Sequence, residues 1–344
     1  MTTLLALDSF KGCLTAPEAV DAAAAALAGR DVCRMPLSDG GEGFVECIAG
    51  CLDGVFRTVS VHDPLGRLIE ARYALLNEGR TAVIETAAAS GLTLLKPEEL
   101  DPLSASSIGT GELIQDAIHQ GIEELWIGLG GTAVMDCGAG LLQALSPLPD
   151  GIRIHAFYDA DVPLTGPTGA PAVFGPQKGA DEPCVAELER RFCRQAEAWK
   201  AQFGIDPDRL PGAGAAGGIG AALAVCLGAE MHAGIGAVLE AVHFADRVRE
   251  CNLVITGEGK ADRQTLTGKV PFGVLQATRR YAPGIPVVLL AGKVEDRDAL
   301  RAAGFDAVIQ VTPEESLKYN YLDKSFAREN IRRAVQDLVY FRDE

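Results

Sequence analysis

The chain has 344 residues, 48% of them hydrophobic and 23% charged. That supplies enough apolar material for folded domains, about two at roughly 150 residues each, and excludes wholesale disorder. With 31 basic residues against 47 acidic ones the net charge is −16, which speaks against nucleic acid or an anionic membrane surface as a partner; a phosphate-bearing substrate stays open, because its pocket needs only a few cations.

The first ten residues lack a basic region and a small-residue cleavage site, so a cytoplasmic location is expected. Residues 3–8 read as a short apolar strand. Thr15 reads as a helix N-cap, with Pro17 and Glu18 in the first turn and strong helix formers over 19–28. A second strand over 31–37, a glycine-rich turn and a helix over 44–51 follow. Strands alternating with helices predict a parallel sheet. The texture then changes. Strand-like runs over 56–61, 69–76 and 80–86 are separated by Asp-Pro-Leu-Gly and Asn-Glu-Gly-Arg, which predicts an antiparallel meander.

A helix over 108–120, a buried strand over 125–129, a helix ending at 145 and a strand over 151–159 come next. A Pro- and Gly-rich loop over 161–180 precedes a charged helix over 184–203. The uncharged run 210–229 has the length of a membrane span, but its six glycines read as tightly packed soluble structure. From residue 253 the first rhythm returns, with strands over 253–256, 287–290 and 307–311 and helices over 270–281, 296–303 and 326–339. The two ends look alike and the middle differs. The fold class is therefore α/β with two domains: a parallel-sheet domain from 1–55 and 246–344, and an inserted mixed α/β domain over 56–245.

Nine cysteines without a CxxC pair, and histidines at 62, 119, 155, 232 and 243 that are isolated along the chain, give no metal-ligand spacing. A structural metal site is not expected. The chemistry concentrates in turns that follow strands, where open α/β sheets build their sites. Asp8-Ser9-Phe10-Lys11 follows the first strand and Ser38-Asp39-Gly40-Gly41-Glu42-Gly43 the second. Gly109-Thr110-Gly111 opens a helix, and Gly130-Gly131 with Asp136 follows a strand; either could hold phosphates on backbone N–H groups, and either could be an ordinary helix start. Lys178 sits in the long loop within Gly175-Pro176-Gln177-Lys178-Gly179. Gly212-Ala-Gly214-Ala-Ala-Gly217 fits GxGxxG in form, but no strand precedes it, so it is not read as a dinucleotide fingerprint. After the strand at 253, Glu258, Lys260, Asp262 and Lys269 crowd one stretch. There is no Walker A motif, yet cations for a moving phosphoryl group and carboxylates for Mg²⁺ or a hydroxyl proton are all available there.

Seven blocks in order carry a family resemblance: Asp8-Ser-Phe-Lys-Gly12, Ser38-Asp-Gly-Gly-Glu-Gly43, Gly109-Thr-Gly-Glu-Leu113, Gly128-Leu-Gly-Gly-Thr132, Gly175-Pro-Gln-Lys-Gly-Ala180, Gly214-Ala-Ala-Gly-Gly218, and Thr256-Gly-Glu-Gly259 with Asp262, Gln264, Thr265, Gly268 and Lys269. From Asp8 to about Lys293 the chain resembles the bacterial glycerate kinase family. The resemblance implies ATP-dependent phosphorylation of glycerate, with 2-phosphoglycerate as the product in many members. It also implies a flavodoxin-like (Rossmann-like) domain from both termini with a mixed α/β domain inserted. On these blocks the expected catalytic residues are Asp8, Lys11, Asp39, Glu258, Lys260, Asp262 and Lys269. Ser9, Glu42, Lys178, Gln264 and Thr265 are expected at the substrate. Gly109, Thr110, Gly111, Gly130, Gly131 and Asp136 are expected at the nucleotide, and Asp39 and Asp262 at Mg²⁺. Glycerate and ATP are the expected partners, with room for a homodimer and no role for nucleic acid or membrane. Two departures stand out. Met135-Asp136-Cys137-Gly138 replaces the family's usual Asn-Asp-Gly-Gly, and Asp159-Ala-Asp161-Val-Pro163-Leu164 replaces Asp-Val-x-Asn-Pro-Leu. A kinase for another small hydroxy acid, or a non-catalytic sugar-acid sensor, is the alternative.

Overall fold

The computed structural model describes residues 2–149, 151–315 and 322–343, the last five by backbone alone. Its strands are β1 (Thr3–Leu7), β2 (Val32–Arg34), β3 (Val55–His62), β4 (Leu68–Leu76), β5 (Thr81–Glu85), β6 (Glu124–Leu129), β7 (Arg153–Tyr158), β8 (Glu230–Ala233), β9 (Leu253–Ala261), β10 (Val287–Val294) and β11 (Ala307–Gln310). The chain divides into two compact units. One comprises Met1–Asp39, Glu46–Leu52 and Ile235–Glu344, the other Gly40–Val45 and Asp53–Gly234.

The first unit holds a five-stranded sheet in the order β2-β1-β9-β10-β11, parallel throughout. Counting this unit's own strands, that is the 2-1-3-4-5 order of a flavodoxin-like fold, and the order reverses between β1 and β9. Every residue of β1 is buried, as a central parallel strand covered on both faces requires. The helix Ala16–Ala25 starts in a capping box: Thr15 Oγ1 accepts from the Glu18 N–H and the Glu18 carboxylate accepts from the Thr15 N–H. Ala19, Val20, Ala23 and Leu27 share a core with Ala327, Ile331 and Val335 of the last helix, Lys324–Asp343. The strand expected over 31–37 is shorter as a regular ladder. Its continuation still bonds to β1 through Met35 N to Leu5 O (2.8 Å) and Leu37 N to Leu7 O (2.9 Å), but Pro36 between them has no N–H to offer.

The second unit holds a six-stranded sheet in the order β3-β4-β5-β6-β7-β8. The expected meander is β3-β4-β5, antiparallel, and β5 to β8 continue in parallel. Its core gathers Tyr73, Ile84, Leu113, Leu125, Ile127, Leu141 and Ile219. The loop expected over 161–180 contains a short helix, Ala170–Phe174. The uncharged run becomes the buried helix Ala215–Leu227, and among the described residues no helix is long and apolar enough to cross a membrane. That helix begins with three consecutive left-handed residues, Ala216 (φ 51°), Gly217 (68°) and Gly218 (88°). A side chain on Gly217 would put its Cβ 2.0 Å from the Val134 carbonyl oxygen.

The histidines are not all isolated in space. Strand β8, absent from the sequence reading, pairs with β7 in a register that aligns His155 with Glu230 and Phe157 with His232. His155 Nδ1 consequently stands 2.9 Å from His232 Nε2. Four residues, Glu-Met-His-Ala, are too few to reveal a strand by alternation.

Candidate active site

In the first unit, the carboxyl ends of β1 and β9 flank the point where the strand order reverses. Asp8 follows β1 directly, tied by its N–H to the Gly257 carbonyl at 2.9 Å. Its carboxylate accepts from the Ser9 N–H at 2.6 Å. Burial, then the negative charges of Asp39 and Glu258, push the Asp8 carboxyl up to about 7, against the Ser9 bond and Lys11. Two neighbouring carboxylates thus act on Asp8 at the switch point.

The sequence reading ends the strand that carries Glu258 at residue 256. In the structure β9 runs on to Ala261, pairing Lys260 with Lys293 of β10. Glycines permit this: a Cβ on Gly257 would lie 2.5 Å from Leu290 O, and one on Gly259 would lie 3.0 Å from Lys11 N. Glu258 is buried. Thr265 Oγ1 donates to its Oε1 at 2.6 Å, and Lys269 Nζ stands 3.5 Å from its Oε2. Burial nevertheless raises its pKa. The Thr265 hydroxyl also accepts from the Asp262 N–H at 3.0 Å. Asp262 caps the 3₁₀ turn Arg263–Thr267, accepting from the Gln264 N–H at 2.8 Å. Burial would raise its carboxyl, but that bond and Lys260, 3.2 Å away, hold it below the ordinary value. Lys260 also pairs with Glu295 at 3.0 Å.

In the second unit, Lys178 is buried. Its Nζ donates to Val134 O at 2.8 Å and Thr132 Oγ1 at 3.1 Å. Burial lowers its pKa to about 7, partly offset by Asp136. Asp136 is fully engaged. Its Oδ2 accepts from the Ser107 N–H and hydroxyl and the Gly140 N–H, and its Oδ1 from the Gly138 N–H. It thereby fastens the start of the helix Ile108–His119 to the helix Ala139–Ala144. Gly109, Thr110 and Gly111 are buried. A Cβ on Gly109 would meet His62 O at 1.8 Å, and one on Gly111 would meet Leu141 O at 2.4 Å, so these glycines serve close backbone packing. The Gly130-Gly131 turn is more open, with Gly131 exposed at φ 63°. Cys137, where the family pattern has glycine, is buried and left-handed at φ 52°.

Asp8, Asp39, Glu258, Thr265 and Lys269 therefore come together in the first unit. Lys260 and Asp262 pair beside them, and Lys11 and Gln264 are exposed. Lys178 and Asp136 belong to the second unit, where Glu42 is exposed. Sequence reasoning missed Glu295 as the second partner of Lys260, and the roles of Thr132 and Val134 in holding Lys178. Thr132 lay inside a quoted motif, but a backbone acceptor such as Val134 O leaves no trace in residue identity.

Carboxylates and lysines at the switch point of a parallel sheet are the equipment of a phosphotransferase. The model of the glycerate kinase family matches residues 3–148 and 146–341. The glycerate 2-kinase of Escherichia coli K12 is 37% identical, covering 98% of this chain and 97% of that protein. The glycerate kinase of Bacillus subtilis 168 is 38% identical, covering 91% of each. A crystal structure provisionally described as a glycerate kinase 2 from Salmonella typhimurium LT2 matches with a TM-score of 0.84 and 37% identity, over all of this chain and 98% of that one. The chain belongs to the glycerate kinase family.

Proposed function

We propose that this enzyme transfers the γ-phosphoryl group of ATP to a hydroxyl of D-glycerate, giving 2-phosphoglycerate and ADP. The observation that carries the reading is the group of carboxylates at the end of β1 and β9, Asp8 and Glu258 with Asp39, beside Lys269. The hydroxyl oxygen bonds to the γ-phosphorus while the bond from phosphorus to the β–γ bridging oxygen breaks, and that electron pair leaves with ADP. A carboxylate takes the hydroxyl proton, and Asp8 is the acceptor we favour. Lys260 and Lys269 offset charge on the transferring group.

The family implies Mg²⁺, and the donor set fits it: these are hard oxygen ligands, and mutually repelling carboxylates gain from a cation. Asp39 would hold the ion, with Asp262 as the second candidate. Bound Mg²⁺ would neutralise phosphate charge. Lys11, with Ser9 beside it, is favoured for the glycerate carboxylate, because the Lys178 ammonium is already turned to Thr132 and Val134. Gln264 and Glu42 remain candidates for glycerate hydroxyls, whereas Thr265 positions Glu258. For the nucleotide phosphates the open Gly130-Gly131 turn is favoured over Gly109-Thr110-Gly111, since the Ser107 and Ile108 N–H groups are already bonded to Asp136 and Ser106. We keep the inserted-domain organisation, 1–55 with 246–344 around 56–245, and a cytoplasmic enzyme with room for a homodimer, as parts of the same proposal.

ADP release from Mg²⁺-ATP with D-glycerate tests the reaction, with enolase and no mutase added to one aliquot. ADP release with an enolase signal is expected. ADP without that signal would assign the 3-phosphate, and no ADP release would move the reading to another hydroxy acid. Asp39→Asn and Asp262→Asn are each expected to lose most activity with circular dichroism unchanged; wild-type rates in both would remove these residues from the site.

A further inference from the structure

A second cluster of functional side chains lies in the second unit, on the edge strand β8 and its neighbours. Residues two apart on a strand share a face, so the β7–β8 register brings the side chains of His155, Glu230 and His232 together. His155 Nδ1 is 2.9 Å from His232 Nε2 and 3.5 Å from Glu230 Oε2, and His232 Nε2 is 3.9 Å from Glu230 Oε1. Donors bound tetrahedrally to one zinc ion at the usual bond lengths stand about 3.3 Å apart. Taking one donor atom from each residue, all three lie within 4.8 Å of one another, and His155 Nδ1 stands within about 0.4 Å of that spacing from both His232 Nε2 and Glu230 Oε2. A salt bridge would need only two of them.

The rings are also held. His232 stacks on Phe157 with centroids 5.1 Å apart. The far nitrogen of His155, Nε2, is buried and has no aligned hydrogen bond, but Glu124 Oε1 stands 3.0 Å from it. A carboxylate behind the outer nitrogen of an imidazole is the usual outer shell of a metal-ligating histidine.

We propose that His155, His232 and Glu230 bind a divalent transition-metal cation of the zinc class, tying the edge strand β8 to β7. Two imidazoles select such a cation over Mg²⁺ or Ca²⁺, which prefer oxygen donors. Glu230 is 69% exposed, so the cation enters from solvent and water completes its shell. The role is structural. β8 has four residues and one neighbouring strand, and a bridging ion fastens a strand too short to hold itself strongly.

The experiment titrates the full-length protein, stripped with EDTA and desalted, with Co²⁺ followed by visible absorption and with Zn²⁺ followed by calorimetry. Thermal unfolding is recorded with and without Zn²⁺, and no readout uses kinase activity. One equivalent bound in the micromolar range is expected, with nitrogen–oxygen ligand-field bands, no thiolate charge-transfer band, and a raised Tm. His232→Gln and Glu230→Gln should each weaken binding by roughly tenfold or more and remove most of the Tm increase. Glu230 is exposed, so Glu230→Gln carries the test even if the histidine variant folds poorly. No saturable uptake at tens of micromolar cation, a thiolate band, or unchanged binding in Glu230→Gln would overturn the proposal.

Discussion

Lys178 is the residue whose environment has the clearest consequence for pH. Folding lowers its pKa from 10.5 to about 7. Between those values the unfolded chain holds a proton that the folded chain has released, so unfolding takes one up and stability rises with pH. Lys178→Met should abolish that rise, which comparing the Tm of both proteins from pH 7 to 10 would reveal; parallel profiles would contradict it. The variant should also lose about 1–3 kcal/mol at the upper end, because Val134 O and Thr132 Oγ1 lose a buried partner. Thr265 is the second case. Its hydroxyl joins Glu258 to the Asp262 N–H, so Thr265→Val should cost about 1–2 kcal/mol in urea unfolding and lower kcat roughly fivefold or more through a displaced Glu258. Unchanged kcat would leave that hydroxyl with a purely structural role. Both residues stand inside motifs that the sequence displays, but it does not display that Lys178 is held by the distant Val134 carbonyl or that Thr265 bridges Glu258 to the Asp262 amide. The same holds for Cys137. Its departure from glycine is visible in the sequence, whereas its left-handed backbone, φ 52°, is not.

Elements were legible where the local signals were dense. The capping box at Thr15 and Glu18, the turn chemistry between β3, β4 and β5, and the apolar runs of β1, β9 and β10 each announce their structure. Three features were hidden because long-range partners decide them. β9 extends through Gly257 and Gly259 because its neighbours need the space a side chain would fill. β8 exists because β7 offers it an edge. The helix Ala215–Leu227 enters through left-handed residues, with the Val134 carbonyl where a Gly217 side chain would stand. Two glycines at opposite ends of that helix differ in their surroundings. Gly217 has φ 68° and a Cβ clash at 2.0 Å, whereas Gly228 at the other end has φ 66° and open space around it. Gly228→Ala should cost about 1 kcal/mol from backbone strain alone. Gly217→Ala should cost about 3 kcal/mol or more, or prevent folding, because strain and overlap add. Urea midpoints of the two variants measure the gap, and equal midpoints would show that the chain relaxes around Gly217.

At the scale of the whole chain, the sequence shows its organisation through rhythm: strand–helix alternation at both ends and a meander between them. It does not show which strands become neighbours. β1 lies between β2, which follows it closely, and β9, which begins at Leu253. Closing that pair must await most of the chain, which makes it a slow, non-local step. A chain ended after Asn252 would leave β1 as an apolar edge without its partner, and an exposed edge of that kind promotes aggregation. The second unit keeps both its sheet and its core in that truncated chain. Limited proteolysis should therefore yield a protected fragment close to residues 53–234, while the N-terminal segment is degraded. Protection of both parts would mean that β1 and β2 find a stable arrangement without β9. Loss of both would mean that the second unit depends on the first, and would remove the inserted-domain organisation as an account of how this chain folds.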